Sequence, residues 1–216
     1  SSLQVRWPTT RRGPRLSTAT SLHPPGMGER VAGDLTAACD DLLEARRIAM
    51  RNSNAQIAAY ALSNFAEVAV DAGDFATAWD AFGRSSSEKE AMADAFGISW
   101  GWRAWARGRR LAGDAAQALV LATRAFELRQ ASFDPNERTL LLVELGACLI
   151  ASGQIDEGLA RLAQAEPFID MFDLKATKAA LLVQRAIAAG TAEAADARQL
   201  VDRYGVEPFS DRFWEL

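Results

Sequence analysis

Four side chains in the middle of the chain have the type and spacing to do recognition chemistry. Trp100, Arg103, Arg107 and Arg110 follow one another at steps of three, four and three, the spacing that puts side chains on one face of a helix. A guanidinium is a planar fork of donors that suits a carboxylate or a phosphate, and tryptophan is a frequent anchor at binding hot spots. The rest of the chain offers little for catalysis. Its one histidine, His23, sits between Leu22 and Pro24 with no cysteine or carboxylate cluster beside it, so it reads as an exposed loop residue. Any Ser–His–Asp arrangement would have to recruit it. No H-E-x-x-H, C-x-x-C, EF-hand or Walker pattern appears, and Gly26-Met27-Gly28 is too short to cradle a phosphate. Gly97, Gly101 and Gly108 follow no strand and make no dinucleotide fingerprint, and Asp40 with Asp41 reads as helix-surface charge. The expectation is no catalytic residue, no metal and no cofactor.

Composition narrows the class. The 216 residues are 49% apolar, enough for a real core, and carry a net charge of −4. Residues 1–30 hold five arginines against one glutamate, so the remainder is more acidic still. That balance argues against direct nucleic-acid binding by the body of the chain. No run of about 18 uncharged apolar residues occurs; the nearest, Leu140–Ala151, contains Glu144. Cys39 and Cys148 each fall within an apolar helical pattern and read as buried free thiols in a reducing compartment, the cytoplasm.

The elements that would hold the arginine face repeat. Ala32-Gly33-Asp34 returns as Ala72-Gly73-Asp74 and Ala112-Gly113-Asp114, then as Ser152-Gly153-Gln154 and, three residues early, as Ala189-Gly190-Thr191. A fixed period of forty residues marks a repeat protein. Before each glycine runs a helical pattern: Ala59–Asp71, Ser99–Leu111, Thr139–Ala151 and Thr177–Ala188. After each runs another: Leu35–Ala49, Phe75–Phe82, Ala115–Leu128, Ile155–Ala165 and Ala192–Val201. Glycine ends the first helix in the left-handed conformation, and Asp34, Asp74 and Asp114 cap the second. Glu88–Glu90 reads as solvated linker charge.

Slots hold in register across the copies. Eleven residues before the glycine stand Leu62, Trp102 and Leu142; eight before, Phe65, Trp105 and Leu145. Seven before, Ala66, Ala106 and Gly146 are small, as are Ala38, Ala78, Ala118 and Gly158 five after. Ala45, Ser85, Ala125 and Ala165 stand twelve after. This resembles the tetratricopeptide repeat (TPR) pattern W-x2-L-G-x2-Y…A-x3-F over roughly residues 31–205. The resemblance implies an all-α fold, a right-handed α-solenoid of stacked antiparallel helix pairs forming a TPR-like superhelix. The period is forty rather than the usual thirty-four, and the Tyr slot holds Ala69, Arg109 and Leu149. In period and texture the repeats resemble the arrays of bacterial LuxR-type and SARP transcription activators and of signalling ATPases.

The resemblance implies that the arginine face, on the first helix of its hairpin, lines the concave groove. The equivalent slots are Tyr60, Ser63, Glu67 and Val70 in the preceding repeat and Leu140, Val143, Ala147 and Ile150 in the following one. The groove thus runs from mixed polar, through basic, to apolar. The groove residues expected to meet a partner are Tyr60, Glu67, Trp100, Arg103, Arg107 and Arg110. Trp102, Trp105 and Ala106 face the core, with Arg109 extending its head outward beside them; the three glycines of this helix point to close approach or local irregularity.

Residues 1–30 read as a flexible basic arm containing Pro and Gly, since Pro24, Pro25, Gly26 and Gly28 oppose a helix near residues 20–32. The array of about four to five hairpins spans 31–208, and 209–216 reads as the start of a further helix. An array cut at both ends points to a piece of a longer protein that self-associates through its exposed ends. The functional expectation is a non-catalytic protein-interaction module, in the regulatory or sensor part of a bacterial transcriptional or signalling protein, whose groove takes a peptide or partner domain, acidic by charge complementarity. The alternative is a receptor array for a small anionic effector or signalling peptide. No membrane partner is expected.

Overall fold

A computed structural model of the chain describes residues 35–129, 134–172 and 174–190. Eight helices follow one another: α1 (Leu35–Arg51), α2 (Ala55–Asp71), α3 (Phe75–Ala91), α4 (Ala95–Leu111), α5 (Ala115–Arg129), α6 (Pro135–Ala151), α7 (Ile155–Met171) and α8 (Lys175–Ala188). Each begins twenty residues after the last, half the period of the glycine motif. The expected arm, the Asp34 cap, His23, the helix at 192–201 and the segment 209–216 lie outside the described residues.

The turns explain this halving. Gly73, Gly113 and Gly153 have φ of 78°, 82° and 80°, the left-handed conformation expected of them. The first two connections between hairpins use the same geometry without glycine, at Ser53 (φ 55°) and Ala93 (φ 52°). Both kinds of turn close alike. The N–H of Asp74 donates to the carbonyl of Ala69 at 2.9 Å, and that of Asp94 to the carbonyl of Lys89 at 3.0 Å. Side-chain capping is shared by both kinds of turn, though Gln154 and Leu174 make no cap bond. Asp74 and Asp114 accept from the N–H groups of Thr77 and Gln117, as their positions imply. So do Asn54, Asp94 and Asp134, which accept from Ile57, Gly97 and both Asn136 and Glu137.

Two expectations are corrected. The helices preceding the glycines start two to four residues earlier than their apolar pattern, at the Asn and Asp caps or, for α8, at Leu174. The helix after Gly73 runs to Ala91 rather than Phe82, so Glu88–Glu90 belongs to its last turn and is not a linker.

Burial separates two layers. Each even-numbered helix touches the next even-numbered one as well as its sequence neighbours, whereas the odd-numbered helices pack mainly on those neighbours. Accordingly α6 is buried continuously from Leu141 to Ile150, while α5 buries only Ala118, Leu121, Ala122 and Ala125. The described residues form an all-helical α-solenoid whose core is a string of clusters, each shared by two or three consecutive helices. The small slots set the spacing. Ala66 and Ala78, and Ala106 and Ala118, are fully buried. Gly146 and Gly158 replace them in the α6–α7 hairpin, where a Cβ on Gly146 would lie 3.0 Å from the Gly158 carbonyl.

In the bulky slots Leu62, Leu142 and Leu145 are buried, whereas Phe65, Trp102 and Trp105 are half-buried and the chain covers their edges. Trp105 stacks on buried Phe82 at 5.8 Å between centroids. Guanidinium groups lie over the other rings: Arg109 over Trp79 at 4.2 Å, Arg124 over Trp102 at 4.4 Å and Arg161 over Phe126 at 5.7 Å. Arg109, in the Tyr slot, thus extends outward as expected and ends on Asp114 at 3.2 Å. The left-handed φ of Ala93 costs about 1 kcal/mol relative to glycine. Ala93→Gly is therefore expected to raise the melting temperature by roughly 2–4 °C, whereas Gly113→Ala, at the equivalent turn, lowers it. Calorimetry of the two variants checks the pair, and a fall with Ala93→Gly would contradict the turn geometry.

Candidate functional site

The arginine face is where its spacing places it, along α4 in the inner layer. Its members meet different surroundings. Arg107 donates from both terminal nitrogens to Asp71 Oδ1 of α2, each at 3.2 Å; the Asp71 carboxylate is completely buried. Arg110 donates from Nε to Glu144 Oε1 of α6 at 3.2 Å, both side chains being only 10% exposed. The Cys148 thiol also points at that carboxylate oxygen, at 3.5 Å. Burial, with Glu144 beside it, pushes this thiol's pKa up, so it is a poor nucleophile. Two of the three arginines thus tie α4 to both neighbouring inner helices.

Trp100 and Arg103 form the other half of the face. The Arg103 guanidinium lies over the Trp100 ring at 4.4 Å, and Phe96 stacks on that tryptophan at 6.0 Å between centroids. Phe96 is 41% exposed and Trp100 half-buried. One turn-start away, Tyr60 of α2 donates its hydroxyl to Asp94 Oδ2 at 2.9 Å; burial, then this bond, raises the phenol's pKa. Asp94 also accepts from the Gly97 N–H and from Gln56, so one carboxylate caps α4 and holds the tyrosine. A Cβ at Gly97 would fall 2.5 Å from that carboxylate, which explains the glycine. Glu67 is half-buried on the same side of α2.

The apolar end of the expected groove is not a surface. Val143, Ala147 and Ile150 are buried, with Val143 and Ile150 in the cluster that includes Leu181 of α8. Ser63 and Val70 are buried too. Of the expected groove, Tyr60 and Glu67 of α2, Trp100, Arg103 and Arg107 of α4 and Leu140 of α6 keep partial exposure, and Arg110 only 10%.

A second polar cluster lies beneath this face. Lys89 of α3, only 1% exposed, donates from Nζ to Ser63 Oγ at 2.5 Å. Ser63 and Ser85 hydroxyls are 2.9 Å apart, and Ser85 donates to the Ala59 carbonyl at 2.8 Å. The Tyr60 ring lies 4.9 Å from Nζ. A serine bonded to a lysine amine is the pairing that activates a nucleophile in some hydrolases, but both side chains are sealed from solvent. The sequence does carry a signal for the cluster. Ser85 stands in a slot otherwise held by Ala45, Ala125 and Ala165, while Lys89 shares its slot with Ala49, Arg129 and Ile169, so the serine carries the signal.

Elsewhere, no group of three or more His, Cys, Asp or Glu side chains among the described residues is arranged to hold a metal ion. An open hollow of about 540 Å³ runs along α3 on the outer layer, lined by Trp79, Asp80, Gly83, Arg84, Ser87 and Glu88. No helix of the described residues is long and apolar enough to cross a membrane.

No protein-family model matches the chain, and no curated protein matches it. Solved structures do. One is a variant of a Podosopora anserina protein described as a kinesin light chain with nearly identical TPR-like repeats, which superposes with a TM-score of 0.59 at 14% identity over 83% of this chain and 89% of that one. At that identity the likeness is one of fold, and it makes this chain a TPR-like repeat α-solenoid.

The two arginine–carboxylate pairs differ in kind from the exposed pair Arg84–Asp80 on the outer layer. Arg110→Ala leaves the Glu144 carboxylate buried without its guanidinium and is expected to cost about 3 kcal/mol. Arg84→Ala should change stability by less than about 0.5 kcal/mol. Urea denaturation of both variants measures the difference, and equal effects would mean that Arg110 contributes only surface charge.

Proposed function

We propose that the protein is a non-catalytic interaction module that receives a peptide or partner domain on the inner face of α2 and α4. The observation that carries this reading is the column Phe96–Trp100–Arg103. Three stacked, partly exposed groups of the types that dominate hot spots stand on a helix otherwise fixed by buried ion pairs. A rigid platform lowers the ordering cost of binding. Trp100 supplies the apolar anchor and Arg103 the fork for a carboxylate. Tyr60 and Glu67 border the column, and Arg107 and Arg110 hold it through their buried ion pairs. Asp71 and Glu144 pair with Arg107 and Arg110, and an acidic group of the partner would meet the Arg103 guanidinium stacked on Trp100. The TPR-like fold supports the reading by analogy. The forty-residue period, shared in texture with bacterial activator and signalling arrays, favours a place in the regulatory or sensor part of such a protein.

A thermal-shift screen with short acidic peptides containing an aromatic residue tests this. Binders should raise the melting temperature by mass action. Trp100→Ala and Arg103→Glu should each weaken binding by at least about tenfold, roughly 1.4 kcal/mol, with Arg84→Glu on the outer layer neutral. A screen without binders, or binding indifferent to Trp100→Ala, would refute the assignment of the face.

A further inference from the structure

Lys89 carries a feature that the recognition face does not use. Its amine is enclosed by three helices. The hydrogen-bond chain has one consistent direction: Lys89 Nζ donates to Ser63 Oγ, Ser63 donates to Ser85 Oγ, and Ser85 donates to the Ala59 carbonyl. The one oxygen that Nζ bonds among the described residues is therefore a neutral hydroxyl, with the Tyr60 ring as a second, weaker partner. On the remaining side the α4 backbone closes the space, and a Cβ at Gly101 would lie 3.2 Å from Nζ. An ammonium has three N–H donors and is costly to desolvate unless they are met. A neutral amine needs far less. This enclosure suits the amine better than the ammonium.

We propose that Lys89 is a protonation-operated latch on the junction of α2, α3 and α4. With the amine neutral, the start of α4 closes over it; forming the ammonium favours opening of α4 around Gly97–Arg103, which lets water reach Nζ. The charged groups around it act in both directions. Glu67 and the Tyr60 phenol face it from α2, and the cap Asp94 from α4. On α3 itself stands Glu88, tied to Arg46 of α1. Burial outweighs the attraction of Asp94, Glu67 and Glu88 and brings the lysine down from 10.5 to about 8. The open junction thus binds more protons than the closed one between about pH 8 and pH 10.5. Closure is strengthened as pH rises through that window, weakens as pH falls through it, and is independent of Lys89 titration below it. The latch does not depend on which molecule the inner face binds.

The chain has only three lysines, Lys89, Lys175 and Lys178, so ¹³Cε resonances of labelled protein can be followed one by one. One resonance should titrate near pH 8, remain in Lys175→Arg and Lys178→Arg variants, and vanish in Lys89→Met. Amide exchange of Gly97–Arg103, corrected for intrinsic base catalysis and read against α6, should show opening suppressed about tenfold or more from pH 8 to pH 10. That dependence should be lost in Lys89→Met. Three lysines titrating together near 10.5, or the same pH profile of α4 opening in Lys89→Met, would overturn the proposal. Should Lys89→Met fail to fold, the titration of the wild-type chain decides alone.

Discussion

The repeat of this solenoid depends on one local constraint, a three-residue turn whose middle residue takes positive φ, as at Ser53, Gly73, Ala93, Gly113 and Gly153. The turn reverses the chain and closes two hydrogen bonds onto the helix it ends. At Asn54, Asp74, Asp94 and Asp114 it then hands the next helix a capping oxygen. Helix and connection together span twenty residues each time, so slots twenty or forty apart meet in register. The small residues then face one another, the aromatic slots stack, and the core extends by accretion rather than by collapse around one centre.

The inner layer concentrates the consequences. An even-numbered helix is clasped by its sequence neighbours and by the even-numbered helices on either side, so most of its circumference is removed from water. Charge on such a helix has to be matched. Arg107 with Asp71 and Arg110 with Glu144 meet that demand across two successive inter-repeat seams. Pairs of this kind add little net stability over apolar packing, yet they penalise any other register, since a slip would leave a buried carboxylate alone. The arginine face is therefore two things at once: a brace along its C-terminal half and an aromatic-cationic column along its N-terminal half.

Lys89 shows the same clasp acting on a group that is not matched by a carboxylate at bonding distance. Its neighbours are hydroxyls, a ring face and a glycine backbone. The junction that buries it is also the support of Trp100, one residue from Gly101. The geometry that makes α4 a firm platform and the geometry that shifts the lysine are one and the same.

Much of this architecture was legible without coordinates. The turns at Gly73, Gly113 and Gly153 declare themselves because glycine tolerates positive φ, and their spacing gives hairpin, register and helix faces. Ala66, Ala78, Ala106 and Ala118 declare the close contacts. The alternate turns were harder to read, since Ser53 and Ala93 carry no glycine signal; only the caps Asn54, Asp94 and Asp134, forty residues apart, mark them. What the sequence determined by itself is local: period, turn chemistry and the helical face shared by Trp100 and the arginines. What only the tertiary structure decided is which faces lose their water. It gave Arg107 and Arg110 carboxylate partners from other repeats, sank Val143 and Ile150 beneath α8, and turned Lys89 from surface charge into a buried amine. Burial is set by contacts distant in sequence, and helical periodicity within one segment does not report how many neighbours clasp it.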